Sequence, residues 1–319
     1  MGQKIQGISF IIPAYNEEKG IRTTLARLRD VLCGLGVPYE ILVVNDGSRD
    51  ATASIVRSLP GITLLNHPTN IGYGNALKSG MLYAKYDWIG IVDADESYPV
   101  HEIPKLVAAL EEGFDMAVAA RENLHEHDSF FKGIARSCYR KLISLLSGAP
   151  IQDPNSGLRI FSRRIGHEFF PFLCGRFSFT TSLSILAVMK PYFVKFVPVQ
   201  YQYRAGLSHV RHFKDSLVTL HMIMQGVCYY NPVKFFFYFA LLSVFGIGIP
   251  AMLLAMFRMP TLSLYFLIFS CAMSLLLGIG FLSDIVRVSA EKGLTLDDER
   301  KLRCLYPLEC GNSEELKKD

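Results

Sequence analysis

Two aspartates separated by a single alanine, Asp93 and Asp95, directly follow the apolar run Trp88–Val92. If this run is a buried strand, both carboxylates emerge at its carboxyl end. Carboxylate oxygens are the ligands that Mg²⁺ and Mn²⁺ prefer, and these ions commonly bridge to substrate phosphates. The pair therefore predicts a divalent-cation site for a diphosphate, whereas solvated turn carboxylates are the alternative for this motif taken alone.

Acidic residues also follow two other predicted strands. Glu17 lies shortly after Ile8–Ile12, and Asp46 directly follows Ile41–Asn45. Turn and helix-capping chemistry would account for Asp50. It does not explain why acidic residues follow three strands, so the pattern indicates a shared ligand site at one edge of a sheet.

A glycine-bearing segment, Asn70–Ala76, precedes and opens a predicted helix. Backbone amides at a helix start can face an anion. A glycine turn by itself is weak evidence for an anion-binding site, so this interpretation depends on which residues lie beside the segment in the fold.

Short β-type runs alternate with helical stretches from Ile8 to about Ala120. This alternation predicts an α/β fold, with a mostly parallel sheet covered by helices on both faces. In such sheets ligands collect beyond the carboxyl ends of the strands, where the acidic residues are expected. The predicted strands are Ile8–Ile12, Ile41–Asn45, Ile62–Asn66, Trp88–Val92 and Asp115–Ala119, and the predicted helices are Gly20–Leu35, Ala51–Leu59, Gly74–Lys85 and Ile103–Glu112.

The C-terminal third carries two long apolar segments. Phe235–Phe257 and Leu262–Leu282 each hold about 20 almost uncharged residues, enough to cross a bilayer as a helix. Because only Arg258–Thr261 separates them, the two helices must enter and leave the membrane on one side. Basic residues such as Lys234 and Arg287 flank the pair, which places the large domain and the tail in the cytoplasm. Two buried helices of a soluble core are the alternative, which their uniform hydrophobicity disfavours.

Two segments upstream of this hairpin are amphipathic. Phe130–Leu146 carries basic residues on one side and apolar residues on the other. A membrane-surface helix and a helix packed on its own domain both fit this pattern. For Ser216–Tyr230, the position just before the apolar segments favours a juxtamembrane helix.

Composition narrows the class of protein. The chain has 319 residues, of which 50% are hydrophobic, and a net charge of +4, which does not indicate nucleic acid binding. Its 7 cysteines are scattered without a CxxC pair, which indicates free thiols in a reducing compartment. The N-terminal segment lacks the apolar core of a signal peptide.

Four motifs follow one another along the chain: PAYNEE (Pro13–Glu18), VNDGSRDAT (Val44–Thr52), NIGYGNALKSG (Asn70–Gly80) and DADESYP (Asp93–Pro99). Together they resemble the family 2 glycosyltransferases of GT-A fold. The second half of the chain resembles the dolichol-phosphate mannosyltransferase-like branch, the polyprenyl-phosphate glycosyltransferases. The resemblance covers about Ile8–Arg211, and the two-helix membrane anchor is similar to that of many bacterial members.

The resemblance implies roles on the donor side. Asp93 and Asp95 would serve a nucleotide-sugar diphosphate through Mg²⁺ or Mn²⁺, with Asp95 as the main ligand and a catalytic residue. Many members continue this motif with a Leu-Gln pair whose Gln helps to hold the metal, whereas this chain has Glu96-Ser97. The third ligand is therefore Glu96, Ser97 or water. The residues implied for the nucleoside pocket are Pro13, Ala14, Tyr15, Glu17 and Asp46.

On the acceptor side, the segment Asp153–Phe161 resembles the family's acceptor motif. Asp153 would lie near the anomeric carbon as a catalytic residue. The resemblance also implies a catalytic role for Arg204. This residue begins a segment similar to the family's Arg-x-Gly-x-Ser-Lys, with His209 in place of Lys. Guanidinium groups suit phosphate because they present forked hydrogen-bond donors. The alternative role for each arginine is a surface ion pair, and for Arg159 taken alone this alternative is preferred. The residues implied for the acceptor phosphate are Arg121, Arg159, Arg204, Ser208 and Arg211.

The resemblance implies inverting transfer of a sugar, from a UDP-sugar in preference to GDP-mannose, to undecaprenyl or dolichyl phosphate. The expected location is the cytoplasmic face of a bacterial inner membrane, and the resemblance also allows a homo-oligomer. The alternatives are a non-catalytic nucleotide-sugar-binding partner in lipid-carrier export, and a family 2 transferase with a different lipid or glycan acceptor. The predicted parts are a GT-A domain at 1–213, a juxtamembrane helix at 214–234, two transmembrane helices at 235–283 and a cytoplasmic tail at 284–319.

Overall fold

The fold is taken from a computed structural model of the chain. It describes residues 4–122, 148–190, 192–200, 244–257 and 259–290, the pair Glu309–Cys310, and single residues within 133–145 and 221–241. The segment that contains Arg204, Ser208 and Arg211 lies outside the described residues, as does most of both predicted amphipathic helices.

Among the residues that the structure describes, a mostly parallel sheet of eight strands forms the centre of the domain, in the order β7-β5-β6-β4-β1-β2-β3-β8. Strands β3, β2, β1 and β4 run parallel to one another, β6 is antiparallel to both β4 and β5, and β8 is antiparallel to β3. The strands are β1 (Ile8–Ala14), β2 (Tyr39–Asn45), β3 (Ile62–Asn66), β4 (Trp88–Ile91), β5 (Met116–Arg121), β6 (Arg159–Ser162), β7 (Val194–Val199) and β8 (Glu309–Cys310).

Helices cover both faces of this sheet. The helices are α1 (Ile21–Gly34), α2 (Thr52–Arg57), α3 (Tyr73–Tyr83), α4 (Ile103–Glu111), α5 (Arg163–Phe169), α6 (Phe179–Met189), α7 (Ile249–Met256) and α8 (Pro260–Ala290). All seven residues of β1 are buried, as expected for a parallel strand covered on both sides. Phe10 packs in the layer with α1 and α4, and its neighbour Ile11 packs in the opposite layer with α3 and α6. The predicted α/β architecture is thus confirmed.

The sequence prediction missed one strand that matters for the site. β6 lies between β4 and β5 and runs against both, so its first residue, Arg159, pairs with Ile91 at the carboxyl end of β4. The segment Asp153–Leu158, which leads into β6, therefore arrives at the sheet edge from which Asp93 and Asp95 emerge. Because β6 is antiparallel to β4, the amino end of β6 lies beside the carboxyl end of β4.

In the described part of the chain, two apolar helices follow the domain. α8 includes a stretch, Pro260–Ser283, that is long and apolar enough to cross a membrane, and none of it is buried within the protein. The second apolar helix is shorter, and Val244–Gly248 precedes α7 as a single π-helical turn. The predicted connection Arg258–Thr261 needs a correction, because α8 already begins at Pro260. Proline is favoured at the first position of a helix, where its missing N–H costs nothing.

Contacts join these helices to each other and to the domain. The Ser263 hydroxyl on α8 donates to the Ala251 carbonyl on α7 at 2.7 Å. Phe281, nearer the end of α8, packs with Ile143 and Ile185 of the domain. Ile143 is fully buried there, so this part of the predicted amphipathic segment packs on its own domain.

Candidate functional site

The loops after β1 and β2 are joined by hydrogen bonds. Asn16 has a left-handed backbone with a φ of 56°, a conformation that asparagine tolerates better than most residues. Its side-chain oxygen accepts from the Arg49 amide at 2.9 Å, and its own amide donates to the Ser48 hydroxyl at 3.0 Å. The Glu17 amide donates to the Thr52 hydroxyl at 2.8 Å. These bonds fix the first two motifs as one wall of a site.

Asp46 is buried at the end of β2 and holds the third motif in place. Its Oδ1 accepts from the Ile71 amide at 3.0 Å and its Oδ2 from the Gly72 amide at 2.8 Å. Nδ1 of His67 lies 2.8 Å from Oδ1, and Nε2 of the same ring lies 3.0 Å from the Ser79 hydroxyl. Burial raises the pKa of Asp46, but the hydrogen bonds from His67, Ile71 and Gly72 outweigh it, and the net pKa is lowered.

Asp93 is partly buried where three motifs meet. Its Oδ1 accepts from the Tyr73 hydroxyl at 2.8 Å, so the glycine-bearing segment contacts the aspartate pair directly. On its other side Asp93 faces Gly157, where any Cβ would overlap the carboxylate. Burial, together with the nearby Asp95 carboxylate, raises the pKa of Asp93 to about 6.

Asp95 is held by its own turn. Its Oδ1 accepts from the Ser97 amide at 3.1 Å and from the Ser97 hydroxyl. Glu96 has a left-handed φ of 60° and forms an ion pair with Arg27 of α1 at 3.2 Å. Glu96, Ser97 and water were the three possibilities for the third metal ligand. The Glu96 carboxylate is bound to Arg27 of α1, and the Ser97 hydroxyl is bound to Asp95.

The chemistry of the aspartate pair fits a hard divalent cation. Two carboxylates are a usual protein contribution to a Mg²⁺ or Mn²⁺ site that is completed by substrate phosphates and water. Within the described part of the chain, no group of three or more His, Cys, Asp and Glu side chains is arranged to hold a metal. Phosphate oxygens of a nucleotide diphosphate, together with water, are groups that would complete the coordination of an ion held by Asp93 and Asp95.

Asp153 and Arg121 form a buried ion pair beside this pair of aspartates. Arg121 donates through Nε to Oδ2 at 2.6 Å and through Nη2 to Oδ1 at 2.8 Å. Its guanidinium also lies 5.9 Å from the centre of the Tyr98 ring. The Tyr98 hydroxyl accepts from the Gly157 amide at 2.7 Å, which links this ion pair to the glycine that faces Asp93.

Arg159 does not have the surroundings predicted for it. It is fully buried, and its guanidinium donates to protein acceptors through Nε, Nη1 and Nη2. A guanidinium has five N–H groups, and five bonds are present here, so no donor remains for a phosphate. The alternative of a surface ion pair is also wrong. The acceptors are the carbonyls of Pro154, Ser156 and Thr180 and the hydroxyl of Ser184.

The remaining predicted residues are placed as follows. Pro13 and Ala14 are buried at the end of β1, which is two residues longer than predicted, and Tyr15 is half-buried just beyond it. Arg204, Ser208 and Arg211 lie outside the described residues, so their roles stay predictions. The sequence prediction did not single out Tyr73, Tyr98 or His67, although Tyr73 and Tyr98 each lie inside a motif that it did identify.

Comparison with known proteins identifies relatives of this chain. The undecaprenyl-phosphate 4-deoxy-4-formamido-L-arabinose transferase of Shewanella sediminis is 33% identical over 168 residues, which are 51% of this chain and 50% of that relative. The protein of the same name from Enterobacter sp. strain 638 is 33% identical over 190 residues, 55% of this chain and 58% of that relative. The chain thus spans about half the length of the curated relatives that it matches.

Solved structures support the fold. Glucosyl-3-phosphoglycerate synthase from Mycobacterium tuberculosis, crystallised with Mn²⁺, uridine diphosphate and phosphoglyceric acid, superposes with a TM-score of 0.55 at 17% identity, over 70% of this chain and 78% of that one. At this identity the likeness concerns the fold alone. The family model described as "Glycosyl transferase family 2" matches residues 9–170, about half of the chain, and all four motifs lie within that range. By this match, the chain belongs to glycosyl transferase family 2.

Proposed function

We propose that this protein transfers a sugar from a nucleotide-sugar to a polyprenyl phosphate at a membrane surface. The observation that carries the proposal is the meeting of Asp93 with Gly157, because it joins the predicted donor and acceptor motifs in one site. The undecaprenyl-phosphate acceptor in the names of the curated relatives supports the acceptor class.

The hydrogen bonds of Asp46 favour uracil as the base of the donor. A carboxylate oxygen accepts about two hydrogen bonds. Among the described residues, Oδ1 receives the Ile71 amide and His67, whereas Oδ2 receives the Gly72 amide alone. The remaining position suits the single N3–H of uracil. Guanine presents N1–H and N2–H side by side and would need both oxygens. A UDP-sugar is therefore the proposed donor.

The proposed reaction is a single in-line displacement. An oxygen of the acceptor phosphate forms a bond to the anomeric carbon, the bond from that carbon to the diphosphate oxygen breaks, and its electron pair leaves with the nucleoside diphosphate. The configuration at the anomeric carbon is inverted. Mg²⁺ or Mn²⁺ bound at Asp93 and Asp95 would supply positive charge for the leaving diphosphate.

The Asp153–Arg121 pair suits an acceptor that is already anionic. The phosphate oxygen is charged at neutral pH, so it needs no strong base to become a nucleophile. Arg121 neutralises Asp153 through two hydrogen bonds, which reduces the repulsion between this carboxylate and an incoming phosphate. We assign the pair to the orientation of the acceptor rather than to proton removal.

The tail supports a membrane hairpin. β8 pairs with β3, so residues 309–310 lie on the same side of the membrane as the sheet. The stretch between the sheet and residues 309–310 would therefore cross the membrane an even number of times. By its length and apolar composition α8 would supply one crossing, and the apolar segment Phe235–Phe257 would supply the other. The excess of basic residues beside the proposed hairpin supports a position of the domain at the cytoplasmic face.

The test is transfer of radiolabelled sugar to undecaprenyl phosphate by the purified full chain, with Mn²⁺ and a panel of UDP- and GDP-sugars. We expect a labelled lipid from one UDP-sugar. Asp95→Asn should abolish it, and Asp30→Asn, an exposed carboxylate on α1, is the matched control that should not. Nucleotide binding without a lipid product from any donor would instead favour the non-catalytic partner.

A further inference from the structure

Tyr73 connects the outer surface of the protein to the aspartate pair. It is the first residue of α3, and its hydroxyl donates to Oδ1 of Asp93 at 2.8 Å. Its ring stacks on Phe177, with centroids 5.9 Å apart and an angle of 13° between the planes. Phe177 is 45% exposed, so one face of this stack borders solvent.

The backbone around Tyr73 is fixed on both sides. Before it, the Gly72 amide donates to Asp46, and Gly72 has a φ of 106°, where side chains are strained. A Cβ at Gly72 would also lie 2.8 Å from the carbonyl of Gly175. After it, the Asn75 amide donates to that same carbonyl at 3.0 Å. The tyrosine ring therefore starts from a backbone with little freedom, and its hydroxyl has a defined position.

Asp93 is consequently held from two directions. Tyr73 bonds one carboxylate oxygen, and Gly157 packs against the other side, where a larger residue would overlap. The side-chain rotamer of Asp93 thus depends on the Tyr73 hydroxyl, which donates to it, and on the absence of a side chain at Gly157. A ligand carboxylate held in one orientation needs less reordering when a cation binds.

We propose that Tyr73 is a positioning residue, which orients Asp93 for the divalent cation and diphosphate of the donor. The proposal rests on the proposed function, because it needs Asp93 to act toward a metal–diphosphate. Since Gly72 contacts Asp46 and its neighbour Tyr73 contacts Asp93, adjacent residues of one turn reach both ends of the proposed nucleotide site.

A purely structural hydrogen bond is the competing explanation, and the chain contains a matched control. The Tyr192 hydroxyl donates to the carboxylate of Glu168, and its ring packs edge-on against Phe169. Tyr192→Phe therefore removes the same type of bond, from a tyrosine hydroxyl to a carboxylate, at a place outside the proposed site.

The experiment compares wild type, Tyr73→Phe and Tyr192→Phe as full-length purified proteins. Titration calorimetry measures Mn²⁺ binding in the presence of UDP, and the transfer assay measures rate against Mn²⁺ concentration. We expect Tyr73→Phe to weaken Mn²⁺ binding about tenfold, the effect of one lost hydrogen bond to a charged group. High Mn²⁺ should restore its maximal rate to within about twofold of wild type, as expected if only binding is affected.

Three outcomes would overturn the proposal. Unchanged Mn²⁺ binding by Tyr73→Phe would leave its hydroxyl with a structural role only. An equal loss in Tyr192→Phe would show that the effect is general destabilisation, which the unfolding temperatures of both variants would reveal. Absence of Mn²⁺–UDP binding by wild type itself would remove the proposed function, and with it this inference. The first of these outcomes removes the inference alone, because wild type and Tyr73→Phe then both bind Mn²⁺–UDP normally.

Discussion

Arg121 and Asp153 form a two-point ion pair, with Nε 2.6 Å from Oδ2 and Nη2 2.8 Å from Oδ1. The side chains are 16% and 7% exposed, respectively. Burial raises the pKa of Asp153, but the hydrogen bonds and the charge of Arg121 outweigh it and lower the pKa overall. The carboxylate is therefore ionised at neutral pH and depends on Arg121 for its stability.

The first prediction concerns the loss of one partner of this pair. Arg121→Met leaves a buried carboxylate without its counter-charge, and we expect it to destabilise the domain by about 3–5 kcal/mol. Adding Asp153→Asn should recover part of this loss, because the uncompensated charge is then removed. Urea unfolding, followed by the fluorescence of the single tryptophan Trp88, measures both variants. Strictly additive losses in the double variant would contradict the coupling of the two side chains.

The second prediction concerns Gly157, whose Cα faces the Asp93 carboxylate. Gly157→Ala should displace this carboxylate, because the added Cβ overlaps it. Since the displaced group is a side chain and not backbone, we expect a large loss of Mn²⁺–UDP affinity with a small loss of stability. Gly34→Ala, which meets no atom within 4 Å, is the control and should change neither quantity appreciably. A Gly157→Ala protein with normal affinity would show that the two motifs do not share a site.

The third prediction separates structural from binding roles among the arginines. Arg159→Lys replaces five N–H donors with three, and leaves some of the buried acceptors around Arg159 without a partner. Each such loss costs about 1–3 kcal/mol, so we expect the variant to unfold at a clearly lower temperature. A phosphate-binding role predicts the opposite pattern, normal stability with a raised KM for the lipid acceptor.

The sequence was sufficient for the parallel half of the domain. Buried parallel strands such as β1 are almost continuous apolar runs, and the polar turn after each one marks the same sheet edge. This pattern of an apolar run followed by a polar turn predicted that Asp46, Asp93 and Asp95 lie at the carboxyl ends of strands. The clustering of acidic residues after three strands followed from local pattern alone.

The sequence was not sufficient for the acceptor side. β6 has only four residues, and a short apolar run does not reveal which strands it separates or in which direction it runs. The environment of Arg159 depends on that placement and on Ser184 of α6, 25 residues later. Local patterns cannot distinguish an arginine that binds phosphate from one that bonds distant carbonyls.

The fourth prediction concerns the pH dependence of stability. The pKa of folded Asp46 lies below its ordinary value of 3.8, so ionisation of Asp46 stabilises the folded state. This contribution is fully present above about pH 4 and is lost as the pH falls through the lowered pKa. We expect the stability difference between wild type and Asp46→Asn to shrink as the pH falls below about pH 4. Trp88 fluorescence during thermal unfolding measures it, and a difference that persists undiminished at pH 3 would contradict an ionised Asp46.

The last prediction concerns the membrane hairpin. Pairing of β8 with β3 requires the domain and the tail to share one side, so the turn that contains Met259 should lie on the other. We expect a membrane-impermeant maleimide to label Met259→Cys in intact cells, in a chain otherwise free of cysteine. Lys4→Cys, on the exposed start of the domain, should react only after the cells are permeabilised. Labelling of Lys4→Cys in intact cells would place the domain outside. Protection of both positions would mean that α8 and the preceding segment do not cross the bilayer, and the proposed access to a lipid phosphate would then need another form of membrane attachment.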